Sequence, residues 1–510
     1  MNISSLFNSI KLLFAQKPIG VVKQQFILSR SKYLSGLKCP ALFWHELYGE
    51  VGQDLKKNEI PQYEKLRNLY LSLFSEKLFV EASGIKSASK ETEHLLRENR
   101  PIVNASFLVE QLFTRIDLLL PSEGDSWEVV EFKFTSSAKK HYNQGMAFHA
   151  LVLSHFGLRV SKYSIYTISS KYTFTENEID LDEFIKKNDV TKQTLELLHK
   201  AKEKAKFLLV VAAMDKPPII ENYKQPCRSP KLCSLQDYCW KDLGNGDIFT
   251  LREGSELVVE LYQKGIHSIC EIPDDVELSF QQKIQLNAVK SKQEFFSTKK
   301  IASLLRKIRY PIYYLDFETI NPPLPIYKGT KAFQHIPFQY SLHIQRQEKA
   351  KLEHYSYIND GTEEPRLAIL QNLSQLIAPG GSILCYNDVF EKKCLRESVE
   401  YIEEYQNWFE SILEDFVDMS LPFRNLHYYH PAQKGVASLK SVLPLLTNHS
   451  YDDLSIADGQ IANQSFLKMK VKGLERAEKE ELNNKLYEYC RMDTYALHLL
   501  LKELKQRSIA

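Results

Sequence analysis

RIDLLLPSEGDSWEVVEFKFT, residues 115–135, decides the fold of the first half of the chain. An apolar run breaks at the turn PSEGD and resumes as WEVVEFKF, which predicts two strands joined by a tight hairpin. Side chains at i and i+2 of a strand share a face, so Glu131 and Lys133 point the same way, and the hairpin brings Asp117 beside them. Two carboxylates can hold a Mg²⁺ or Mn²⁺ ion, and a lysine next to them can orient water. That set is the minimum for hydrolysis of a phosphodiester.

Outward from the hairpin, HYNQGMAFHALVLSHFGL (141–158) predicts a helix, and helices including 58–79 precede the strands. Cys39 stands alone near the start, and PCRSPKLCSLQDYCW (226–240) carries Cys227, Cys233 and Cys239 as C-x5-C-x5-C. Thiolates suit soft metals, so four of them point to zinc or an iron–sulfur cluster. Zinc sites usually pair their cysteines with shorter gaps. Cys270, Cys385, Cys394 and Cys490 read as packing residues.

A second α/β pattern starts at YPIYYLDFETI (310–320), a buried strand that ends with Asp316 and Glu318 on one face. SILCYNDVFE (382–391) predicts a strand running into a helix, with Asn387 four residues before Glu391. The last helix, from Asn483, places Tyr489 and Asp493 one turn apart on one face. Four carboxylates from separate elements can hold two divalent ions, and a tyrosine beside the last can position water. Lys440 follows the expected N-cap Ser438, where it reads either as a phosphate contact or as a surface lysine.

With 510 residues the chain exceeds what one core serves, and its composition (44% apolar, 25% charged) is that of a globular protein. A net charge of +2 does not advertise a polyanion partner, so basic stretches such as 199–207 and 297–311 would have to serve locally. No stretch approaches the roughly 20 apolar residues of a membrane span. The first 17 residues lack a basic lead and a cleavage site. Eight cysteines without a signal fit reduced thiols and a cytoplasmic protein.

The Asp117, Glu131, Lys133 pattern resembles the RecB-like branch of the PD-(D/E)XK nucleases. That branch follows its E-x-K strand with a helix bearing Gln-x-x-x-Tyr. Here Gln144 has Phe148 in the tyrosine position, and His149 is an alternative for the glutamine. The histidine many relatives carry on an early helix has no counterpart. One cysteine before the core and three after it resembles the cluster-bearing members, and the resemblance implies a [4Fe–4S] staple on Cys39, Cys227, Cys233 and Cys239.

Residues 308–510 resemble the DEDD (DnaQ-like) 3′–5′ exonucleases of the tyrosine subtype, which implies a ribonuclease H-like fold. The second acidic block of that family normally ends in Asp. Here it is Glu391, with Asp388 and Asp418 as possible substitutes. Nearly the whole chain is similar to a bacterial family, domain of unknown function 2779, through LDFETINPPLP, IPFQYSLHI, YNDVFEKKCL and YCRMDT.

The expected architecture is therefore α/β: an appendage (1–25), a restriction-endonuclease-like domain (26–242), a helical linker (243–307) and a DnaQ-type domain (308–510). The expected function is metal-dependent DNA hydrolysis at two sites, in repair, recombination or defence. Asp117, Glu131, Lys133 and Tyr489 would be catalytic, and Asp117, Glu131, Asp316, Glu318, Glu391 and Asp493 would bind metal. Gln144, His149, Asn387 and Lys440 would contact nucleic acid. The alternatives are a binding protein with one or both heads inactive, an RNA-processing nuclease, or a zinc-stapled scaffold.

Overall fold

The computed structural model describes residues 26–48, 61–175, 178–218, 233, 235–239, 247–456, 459–469 and 474–509. The 1–25 appendage and Cys227 lie outside the described residues. The chain is mixed α/β, built on two principal sheets with helices on their faces. Among the described residues, no helix is long and apolar enough to cross a membrane.

The first sheet has seven strands: β1 (Leu28–Ser29), β2 (Leu78–Phe79), β3 (Ile102–Val109), β4 (Leu112–Ser122), β5 (Ser126–Phe132), β6 (Val160–Ile168) and β7 (Ile185–Asp189). They run in the order β2-β3-β4-β5-β6-β7, with β1 parallel to the start of β4. The predicted hairpin is β4–β5, paired from Ser122↔Ser126 to Leu118↔Val130. The helix Tyr142–Phe156 then crosses the sheet and returns as β6, parallel to β5. One face buries Phe107, Ile116, Val129, Phe148 and Leu208 under the helices Tyr142–Phe156 and Thr191–Ala212. The other buries Leu66, Tyr70, Leu118, Val130 and Phe132.

The alternation expected along FTRIDLLL breaks at Asp117. Val103 and Leu118 pair and pack on the second face, yet the next pair, Ala105 and Ile116, packs on the first. Between them lies Asn104, whose φ of 61° puts it in the left-handed region and whose Oδ1 accepts from Arg67 Nη2 at 2.7 Å. A strand flips its faces when one residue leaves the extended region, so Asp117 sits at a kink.

Residues 247–307 form short helices around a small core of Ile248, Phe249, Leu261, Ile269 and Leu286. They are fastened to the second half of the chain. Strand β8 (Phe295–Phe296) pairs with β14 (Tyr428–Tyr429), and Gln285 donates to the Tyr429 hydroxyl at 3.1 Å.

The second sheet comprises β9 (Ile312–Ile320), β10 (Ile336–Gln345), β11 (Glu353–Ile358), β12 (Ser382–Cys385) and β13 (Phe416–Asp418), in the order β11-β10-β9-β12-β13. Tyr313, Leu315 and Phe317 of β9 face one cluster, and Ile312 and Tyr314 face the other. Asp316 and Glu318 therefore lie on the second face, beneath the 34-residue helix Arg476–Ile509. The β9–β10 loop reaches the first sheet: Phe174 N donates to Thr330 O at 2.9 Å, and Ala332 joins the cluster of Tyr166 and Phe184.

Candidate functional site

The long C-terminal helix buries a stripe of Leu486, Leu497, Leu500, Leu501 and Leu504, as its 3.6-residue period dictates. Tyr489, Cys490 and Asp493 interrupt that stripe where β9 supplies Asp316 and Glu318. Ligand oxygens of Asp316, Glu318 and Asp493 lie within 4.8 Å of one another, the one such group among the described residues. An octahedral ion with ligands at about 2.1 Å spans roughly 4.2 Å between opposite oxygens. The donor set is all oxygen and the spacing fits a hard divalent cation.

Glu391, on the first turn of the helix Asp388–Val399, lies outside that 4.8 Å group but near enough to act electrostatically on Asp316. Glu318, Glu391 and Asp493 are 6%, 4% and 8% exposed, and Oε2 of Glu391 is buried without a hydrogen-bond partner. Burial is the main reason the carboxyl of Asp316 is held well above its ordinary range, with Asp493, Glu318 and Glu391 adding to it. Burial likewise raises Glu391 to about 8 and Asp493 to about 6. Anionic groups crowded in a poorly solvated place resist ionisation until a cation arrives.

The two possible substitutes for Glu391 are otherwise engaged. Asp388 pairs with Lys392 at 2.7 Å, and Asp418 accepts from the backbone of Asn387 and Ser420 at 3.1 and 2.8 Å. Asn387 is exposed and left-handed, with φ 100°, at the turn that launches the helix bearing Glu391.

Around the acids stands a polar ring. Lys440 Nζ donates to the Tyr489 hydroxyl at 2.9 Å, and Tyr451 donates to Asp493 Oδ1 at 2.6 Å. The surface-lysine alternative for Lys440 does not hold, because its helix, Leu439–Leu446, packs against the long helix and aims the ammonium inward. Cys490, expected to be a packing residue, also touches the acids: its Sγ lies 3.5 Å from Asp316 Oδ2. Tyr451 carried no sequence signal, since only the chain's return past the helix brings it there.

The N-terminal site is built differently. Glu131 is 3% exposed, and one of its oxygens accepts from Lys133 at 2.5 Å and from Arg30. Asp117 Oδ2 accepts from the backbone N–H of Phe132 at 2.9 Å. Burial, and then the neighbouring Arg30, lowers the Lys133 ammonium to about 8. Arg30 was missed by sequence reasoning. It opens the helix Arg30–Lys38 directly after β1, and only the β1–β4 pairing carries it to the site.

The other expected contacts divide. Gln144 is exposed on the first turn of its helix, while Phe148 is a core residue stacked on Tyr33 at 4.6 Å. His149 is buried, bonded through Nδ1 to Thr114 Oγ1 at 2.7 Å, and burial keeps it neutral by pushing its pKa well down. It supports β4 from beneath and is not a surface contact. Cys39, Cys233 and Cys239 are half-buried. Tyr238 lies edge-on against His45 at 4.6 Å, which ties the Gln236–Cys239 turn to the helix that follows Cys39.

The family model of a domain of unknown function, DUF2779, matches residues 313–438. That stretch holds Asp316, Glu318 and Glu391 and stops short of Tyr489 and Asp493. The chain is similar to an uncharacterized protein of Mycoplasma pneumoniae, the MG366 homolog, at 26% identity over 39% of this chain and 32% of that protein. It is similar to uncharacterized protein MG366 of Mycoplasma genitalium at 25% identity over 42% and 34%. The chain thus spans about a third of the length of these curated relatives. Among solved structures, SSO0001 aligns with 48% of this chain and 98% of its own at 12% identity, with a TM-score of 0.23.

Proposed function

We propose that this chain is a metal-dependent nuclease with two hydrolytic heads, acting on DNA in preference to RNA. The C-terminal head is a DnaQ-type 3′–5′ exonuclease on a ribonuclease H-like fold. The N-terminal head is a RecB-like PD-(D/E)XK site. The observation that carries this reading is the convergence of Asp316, Glu318 and Asp493 from a strand and a helix, with Glu391 of a second helix near enough to act on Asp316. Left as anions without a cation, such groups cost several kcal/mol each.

Mg²⁺ or Mn²⁺ held by those residues would activate water and offset charge on the phosphate. The hydrogen bond from Lys440 fixes the orientation of the Tyr489 hydroxyl, which would position the attacking water. Tyr451 holds Asp493 in place by donating to its Oδ1, and Asp493 would be one of the residues that hold the ion. In the N-terminal head, Lys133 and Glu131 share a hydrogen bond that keeps the ammonium beside the carboxylates. Cys39, Cys227, Cys233 and Cys239 would hold a [4Fe–4S] staple, which the approach of Tyr238 to His45 supports. Iron and sulfide in anaerobically purified protein, lost in Cys39→Ser, test that part.

A binding role for the N-terminal head is the second reading, favoured by the two cations already placed on Glu131. End-labelled single- and double-stranded DNA, matched against RNA, separates the readings. Lys133→Ala and Asp316→Ala should each remove a distinct product pattern. If only Asp316→Ala does, the N-terminal head binds without cutting. If wild type cuts neither polymer, the nuclease reading fails.

A further inference from the structure

The N-terminal site contains a residue for which the two-carboxylate, one-lysine pattern has no place. Arg30 enters on the first turn of its helix, capped by Ser29 Oγ, which accepts from Lys32 N. Its guanidinium lies over the helix Tyr142–Phe156 at Gly145, where a Cβ would come within 2.7 Å of Nη2. The glycine is what lets the arginine reach the sheet. There Arg30 and Lys133 converge on the same oxygen of Glu131.

Two polar atoms are left over in this crowded place. Oε2 of Glu131 and Nε of Arg30 are both buried without a hydrogen-bond partner. Native interiors satisfy such atoms, and an orphaned pair of opposite character implies a ligand that is itself part cation and part anion. A divalent ion carrying a phosphate has that composition: the ion suits the carboxylate oxygen, and the phosphate suits the planar, forked guanidinium.

We infer that Arg30 is a phosphate-binding residue of the N-terminal site that occupies Glu131 in the free protein and passes to the phosphodiester when a divalent ion takes the carboxylate. Ion and nucleic acid then bind interdependently, because the ion frees the group that grips the phosphate. This inference rests on the N-terminal metal site proposed above, and the test separates the two.

The test uses the full chain with Asp316→Asn and Asp493→Asn, which silence the C-terminal acids. Mn²⁺ is titrated by calorimetry into this parent, into parent with Arg30→Met, and into parent with Glu131→Gln. Arg30→Met should tighten Mn²⁺ binding roughly tenfold, since it removes a charged competitor for Glu131. It should also weaken binding of a fluorescein-labelled oligodeoxynucleotide in Ca²⁺, with the log–log salt slope smaller by about one. A merely structural arginine would not tighten ion binding when removed. Unchanged or weaker Mn²⁺ affinity in Arg30→Met overturns the inference, provided Glu131→Gln abolishes binding. If Glu131→Gln leaves the isotherm of the parent intact, or none of the three proteins binds the ion, the metal reading of this head fails and takes the inference with it. Arg30→Gln, close in shape, carries the same expectations should Arg30→Met not fold.

Discussion

The two acidic sites solve the problem of a buried carboxylate in opposite ways. At the first, Glu131 is neutralised from within by Arg30 and Lys133. At the second, Asp316, Glu318, Glu391 and Asp493 crowd together with Lys440 one tyrosine away, and burial holds Asp316, Glu391 and Asp493 above their ordinary range. The comparison teaches that an acid cluster can be primed by protons or by its own cations. On the proposed reading, the proton-primed site would accept an ion by releasing protons, whereas the cation-primed site would have to move a side chain.

The largest expected effect lies at the proton-primed site. Asp316→Asn should lower the 3′-end product by roughly a thousandfold, since a lost metal ligand forfeits several kcal/mol of charge stabilisation. Quantified digestion of 5′-labelled DNA reads it. Residual activity within tenfold of wild type would mean that the two sites do not differ as described.

Next in size is a pH effect on stability. Folded Glu391, held at about 8, binds a proton that the unfolded chain gives up near its ordinary value of 4.5. Ion-free protein should therefore lose stability as pH rises from about 5 to 8, at up to about 1.4 kcal/mol per unit for one such group. Denaturant unfolding at several pH values, with and without Mn²⁺, checks it. The slope should flatten in Glu391→Gln and on adding the ion.

Gly145→Ala sharpens the comparison from the other side. Its Cβ would meet the Arg30 guanidinium at 2.7 Å and push it off Glu131. Overpacking of this kind costs about 1–3 kcal/mol, read as a lower denaturant midpoint. The smallest effect is expected at the polar ring. Lys440→Ala should slow the 3′-end reaction about tenfold by releasing the Tyr489 hydroxyl, with Mn²⁺ affinity unchanged.

Local periodicity made much of this legible. Asp316 and Glu318 share a strand face, and Tyr489 and Asp493 share a helix face, because spacing alone fixes those relations. The hairpin that carries Asp117 and Glu131 was legible for the same reason. The break in alternation at Asp117 was not, since it depends on the left-handed Asn104 of the neighbouring strand. Arg30, Tyr451 and the inward aim of Lys440 were illegible too, because each reaches its site through pairing or packing distant in sequence. His149 read as a contact because it could take the glutamine position of the resembled helix motif, yet tertiary burial makes it a strut on Thr114.

Calorimetric titration of Mn²⁺ into wild type and Asp493→Asn tests the central claim, that the C-terminal carboxylates form a divalent-metal centre, most directly. The claim predicts that Asp493→Asn loses at least one bound ion per chain while Lys440→Ala keeps it. Identical isotherms for wild type and Asp493→Asn would contradict it.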